Sequence, residues 1–141
     1  MVFDSGSDAD RHALTRLAGD KVAWLTSVTP AGQPQTFPVW FLWGDGEVLV
    51  YSATKAMRNR NIATNPRVSV HLEGDGDGGD LVIIEGTARV DHTTPSPDRH
   101  AAYMAKYGEL MVRDVGSVER FVADYTIPVR ITPTRGRATG A

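Results

Sequence analysis

Cysteine is absent from this chain of 141 residues. That excludes disulfides, thiolate metal sites and a cysteine nucleophile, and it suits a reducing compartment, so a cytoplasmic protein is expected. A basic surplus is lacking too: 15 Lys and Arg stand against 17 Asp and Glu, for a net charge of −2. Nucleic-acid binding driven by phosphate neutralisation is therefore not expected. No apolar run approaches the roughly 18–20 residues that span a bilayer. The opening MVFDSGSDADRHAL is acidic where a signal peptide is basic, and it has no apolar centre. There is no GxSxG elbow, no Walker or GxGxxG loop and no HExxH. His12, His71, His92 and His100 are not spaced as metal pairs, so no metal site is expected. His71, within a strand, is the one histidine with a place from which to act as a ligand. The acidic run EGDGDGGD (73–80) fails as a calcium loop: with Asp75 first, Asp80 falls on the obligatory glycine and Gly86 on the bidentate Glu. It reads as a flexible hairpin loop.

What is present is a succession of short strands and helices with no internal repeat and no linker, hence one domain over 1–141. Ser7 and Asp10 form a capping box for a helix over about 8–18, within an N-terminal helical segment 1–20, with Leu14, Leu17 and Ala18 as its apolar face. Strands are expected over 21–29, 35–43, 47–52, 67–73, 80–91 and 126–132. Gly44-Asp45-Gly46 closes a hairpin, and Gly86 marks a bulge or bend. Helices are expected over 55–64, 96–107 and 117–124, and a polar, frayed tail over 133–141. Six strands joined by hairpins rather than by strand-helix-strand alternation imply a mainly-β fold, an antiparallel barrel with flanking helices.

The strand 35–43 departs from ordinary alternation. Phe37, Val39, Phe41 and Trp43 point one way and Trp40 and Leu42 the other, beside Pro38. Both faces are apolar, so one fills a barrel interior and the other needs a partner chain, a ligand, or both. Immediately downstream, Tyr51, Ser52 and Thr54 end a strand just before a helix start. Lys55 and Arg58, three apart, share a face of that helix. Amides at a helix start favour anions, and an arginine grips phosphate oxygens in pairs. Arg60 lies about 200° round the helix from Arg58. A flat ring against the apolar wall, with an anionic tail on the basic helix, fits this pattern. A solvated basic surface is the plainer alternative. Trp24, Trp40 and Trp43 are either ring-stacking residues or core and interface residues.

The segments AWLTSVTPAGQPQTFPVWF, VYSATKAMRNRNIATNPRVSVHL, DLVIIEGTARV and IPVRITPTRGR together resemble the pyridoxamine-5′-phosphate-oxidase-like split barrels. More closely they resemble the small deazaflavin-dependent group of the flavin/deazaflavin oxidoreductases. The likeness spans about residues 21–133. It implies a six-stranded split barrel and a homodimer with two cofactor sites at the interface. It further implies coenzyme F420, with FMN as the alternative, and hydride transfer between the reduced deazaflavin and a small electron-poor acceptor. A non-catalytic protein for F420, heme or a tetrapyrrole is the rival from another class. The family's PVWF falls on Pro38, Val39, Trp40 and Phe41, bordering the ring. Its serine after the tyrosine falls on Ser52. Its usual lysine falls on Arg58, with Arg60, Asn61 and Ile62 completing an RNI-type motif. The resemblance transfers no catalytic side chain.

Overall fold

A computed structural model describes residues 2–140. Ser7 starts helix α1 (Asp8–Gly19), its Oγ accepting from the Asp10 N–H at 3.4 Å. The Asp10 carboxylate accepts the Asp4 N–H at 2.7 Å instead of turning back on Ser7, so it fastens the preceding segment. Ala13 and Leu17 are the buried residues of α1, and Ala18 is exposed, contrary to the expected face. Arg16 holds the helix in that rotation by donating to the carbonyls of Asp80 (2.7 Å) and Glu73 (2.6 Å).

The strands are β1 (Ala23–Val28), β2 (Pro34–Val39), β3 (Leu42–Gly44), β4 (Glu47–Ser52), β5 (Arg67–Leu72), β6 (Val82–Val90) and β7 (Ile127–Ala138). They form one antiparallel sheet in the order β2-β1-β5-β6-β7-β4-β3. Helix α2 (Met57–Thr64) links β4 to β5. A 3₁₀ turn (Pro97–Arg99), α3 (Ala101–Leu110), one π turn (Met111–Val115) and α4 (Val118–Asp124) link β6 to β7. The fold is the expected mainly-β half-barrel with flanking helices, with seven strands rather than six. The extra strand arises because the expected strand 35–43 is broken at Trp40-Phe41 into β2 and β3. These two occupy opposite edges of the sheet, so two residues of chain carry it from one edge to the other and curl it.

Local chemistry accounts for the connections. Asp45 (φ 53°) and Gly46 (φ 72°) form a two-residue turn with both residues at positive φ, which matches strand twist in a tight hairpin. At Gly86 the β6–β7 register shifts, and a Cβ there would lie 2.5 Å from the Thr132 carbonyl oxygen. Pro133 sits opposite Gly86, at the irregularity where a missing N–H is tolerated. That is why β7 runs on to Ala138 where a frayed tail was expected. The acidic loop is ordered by Asp75, whose Oδ1 accepts the N–H groups of Asp77 (2.8 Å) and Gly79 (2.9 Å).

Two apolar clusters flank the sheet. Inside lie Leu25, Phe41, Val48, Val50, Val70, Ile84 and Ile131 with Leu17 of α1. On the other side Leu49 and Tyr51 of β4 pack under Tyr103, Tyr107, Met111 and Phe121. Each such side chain contributes roughly 1.5–3 kcal/mol on burial, so β4, buried on both faces, is the centre of the molecule. The outer face of the 35–43 segment meets α3 and α4 of the same chain: Trp40 and Leu42, both partly buried, pack into the second cluster. Phe37, expected to be covered, is 47 % exposed at the β2 edge. Among the described residues no helix is long and apolar enough to cross a membrane.

Candidate functional site

The break between β2 and β3 is stabilised from a distance. The Tyr107 hydroxyl accepts the Phe41 N–H at 2.8 Å and donates to the Lys21 carbonyl at 2.7 Å, with the Phe41 carbonyl oxygen 2.9 Å away. Peptide groups that a continuous strand would pair in a ladder are thus met by a side chain of α3. Trp40 turns outward at this point. Its ring lies between Tyr107 (centroids 4.8 Å, planes 7° apart) and Phe121 (5.4 Å, 15°). Phe121 in turn stacks on Tyr125 at 4.4 Å.

Along this aromatic row runs a cleft of about 260 Å³. It is lined by Pro38, Val39 and Trp40, by Tyr51 and Ala53, and by Val115, Phe121 and Tyr125. Ala56 and Arg58 also line it. Among the described residues, Arg58 is the single cation lining it. The Arg58 Nε is buried without a hydrogen-bond partner, and its guanidinium makes no ion pair among the described residues. Burial lowers the Arg58 pKa, and Tyr125 partly opposes that shift. Asn59 Oδ1 and Ser52 Oγ are likewise buried and unpartnered at this strand-helix junction. Burial pushes the Tyr51 hydroxyl up to about 12, and it donates to the Pro95 carbonyl at 2.6 Å.

Of the residues singled out from the sequence, Pro38, Val39, Trp40, Tyr51 and Arg58 meet in the cleft. The others lie elsewhere. Phe41 is fully buried in the barrel interior. Ser52 is fully buried beneath the junction. The Thr54 hydroxyl is engaged with the Asp124 carbonyl (3.2 Å) and Thr126 Oγ1 (2.7 Å). Lys55 is exposed and precedes α2, which begins at Met57 because Ala56 is extended (ψ 135°) and serves as its cap. Lys55 and Arg58 therefore do not share a helical face. Arg60 is exposed. Asn61 is buried and donates to Ser27 Oγ (3.1 Å) and Gln35 Oε1 (3.0 Å), tying α2 to β1 and β2.

Trp24 donates to Glu73 Oε1 at 2.6 Å and Trp43 packs edge-on against Phe3, so only Trp40 of the three tryptophans reaches the cleft. His71 Nδ1 lies 3.1 Å from the Leu72 carbonyl oxygen, opposite Trp24 in the sheet. Among the described residues no three His, Asp or Glu side chains gather around a possible metal position. Phe121, Tyr125 and Val115 were not foreseen as cleft residues. The four-residue spacing of Phe121 and Tyr125 marks a shared helix face, but nothing local says that this face meets β2.

The family model for pyridoxamine 5′-phosphate oxidase matches residues 9–139. No curated protein matches the chain. Among solved structures, an F420 reductase is 25 % identical, with a TM-score of 0.63 over 87 % of this chain and 94 % of that one. A FAD-binding protein from Mesorhizobium loti is 19 % identical, with a TM-score of 0.63 over 89 % and 90 %. The heme storage protein of Vibrio cholerae is 16 % identical, with a TM-score of 0.60 over 92 % and 90 %. One fold thus carries ligands of quite different chemistry.

Proposed function

The chain belongs to the pyridoxamine 5′-phosphate oxidase family, and on that footing we propose that it is an F420-dependent oxidoreductase acting on a small electron-poor acceptor. The observation that carries this reading is Arg58: a half-buried guanidinium, unpartnered among the described residues, in a cleft otherwise lined mostly by aromatic and aliphatic side chains. A flat ring suits that apolar lining, and an anionic tail supplies the acceptor that the buried Nε lacks. F420, when bound, supplies hydride chemistry. The chain's own residues bind and orient: Trp40, held between Tyr107 and Phe121, offers a fixed apolar edge, and Arg58 holds the negative end. Positioning and exclusion of water are then what the protein adds, and no nucleophile is required.

The cleft of one chain, about 260 Å³, is at the small end for a drug-sized ligand. A second copy of the chain, seated against the exposed β2 edge at Phe37, completes it in this proposal. The FMN alternative draws on the same features, since FMN presents a similar ring on a shorter phosphate tail that a small cleft accommodates more easily.

Parallel fluorescence titrations of the purified protein with F420 and FMN test the reading, with heme followed by absorbance as the third arm. Tight F420 binding that Arg58→Ala weakens, followed by turnover with an electron-poor acceptor, is the expected result. Preference for heme, or F420 affinity untouched in Arg58→Ala, would overturn it.

A further inference from the structure

Lys106, one residue before Tyr107 on α3, donates from Nζ to the Phe41 carbonyl at 2.9 Å. Its ammonium also lies 3.9 Å from the centroid of the Phe41 ring and 5.3 Å from that of Tyr107, within the range of cation–π attraction. The charged groups acting on it are Lys21, from the segment before β1, and Asp20, at the end of α1. Lys21 Nζ itself donates to the Lys106 carbonyl at 3.0 Å. Burial first, and then repulsion by Lys21, draw the Lys106 pKa down to about 8, while Asp20 opposes the shift. A cation whose pKa is lowered by folding costs stability where it stays protonated. An apolar side chain in this slot would avoid that cost. The benefit of the ammonium is found in what it holds, the carbonyl at the break between β2 and β3. The two residues before that carbonyl, Val39 and Trp40, line the cleft.

We propose that Lys106 is a positioning residue for the cleft: its ammonium fixes the Phe41 carbonyl, and through it the Trp40 ring, in the geometry that receives a flat anionic ligand. This role rests on the cleft being the ligand site proposed above. Below about pH 8 the charged donor grips the carbonyl. Above it, the neutral amine is a weaker donor and the Trp40–Tyr107 stack is held less firmly.

The test compares the parent protein with Lys106→Met and Lys106→Arg by two measurements. The first needs no ligand: near-ultraviolet circular dichroism from pH 6.5 to 9, below the ordinary tyrosine titration at about 10. The aromatic signal of the parent is expected to change around pH 8 with the far-ultraviolet spectrum constant, and Lys106→Met is expected to lack that change. The second is titration with F420 and FMN. Lys106→Met should bind about tenfold more weakly at pH 7, as the loss of one charge-assisted hydrogen bond implies. It should show no further loss at pH 9, where the parent weakens. Lys106→Arg should recover affinity to within about threefold and stay constant to pH 9. The thermal midpoint of Lys106→Met should equal or exceed that of the parent, whereas a merely structural lysine would lower it. Parent-like binding by Lys106→Met, or an unchanging near-ultraviolet spectrum in the parent, overturns the proposal. If neither F420 nor FMN binds the parent, the cofactor reading fails, and the dichroism still decides whether the clamp exists.

Discussion

Trp40 lies parallel to Tyr107, with ring centroids 4.8 Å apart and planes 7° apart, while the Tyr107 hydroxyl accepts the N–H of the next residue, Phe41. One side chain of α3 thereby both breaks the edge strand and supports the aromatic wall that the break creates.

Tyr107→Phe keeps the ring stack and removes the hydroxyl. The buried Phe41 N–H then loses its partner, and so does the Lys21 carbonyl. A destabilisation of about 1–3 kcal/mol is expected, the cost of an orphaned buried group. It should appear as a lower urea midpoint with an unchanged denaturant slope.

Arg58→Met separates binding from folding. The guanidinium is half-buried with no internal partner, so its removal should leave the unfolding midpoint equal or higher. The same variant should lose about tenfold or more in affinity for the F420 or FMN that the parent binds. A fall in the midpoint, with affinity retained, would make Arg58 a structural residue.

Gly86→Ala places a Cβ 2.5 Å from the Thr132 carbonyl oxygen, a backbone atom that cannot swing aside. The bulge between β6 and β7 must open, at a cost of about 1–3 kcal/mol typical of overpacking. Differential scanning calorimetry of the variant should show the melting point lowered by several degrees.

Acid sensitivity should trace in part to Glu47. The hydrogen bond from Arg89 lowers its carboxyl pKa below the usual value; burial opposes this, and the bond from Thr132 at 2.8 Å adds to it. Because the folded value is the lower one, the stabilisation is complete above the unfolded carboxylate's titration. It is lost as the pH falls from about 4.5 through the folded value. Arg89 is half-exposed, so solvent screening limits the effect to at most about 1 kcal/mol. Urea midpoints of Glu47→Gln and the parent, measured from pH 6 to 3, should converge as the pH falls.

Features set by neighbours in the chain were legible in advance. The Asp45-Gly46 turn, the cap at Ser7 and the bulge at Gly86 depend on one or two residues and their own dihedral angles. The cleft was legible in part for the same reason. Its lining residues Pro38 to Trp40, and its cation, Arg58, belong to segments whose apolar and basic character is plain. The misplaced items share another cause. Lys55 was set on a helix that starts two residues later, because the extended Ala56 docks its neighbours against α4: the Thr54 N–H donates to the Asp124 carbonyl at 3.0 Å.

Alternation of apolar residues and the turn chemistry were enough to dictate a mainly-β chain with an arginine near an aromatic strand. Where that strand breaks, which helix covers it and what faces Arg58 were decided by contacts between residues far apart. Phe41 and Tyr107 are 66 positions apart. A hydrogen bond or a ring stack at that separation depends on how the whole sheet curls, and short-range propensity holds no record of it.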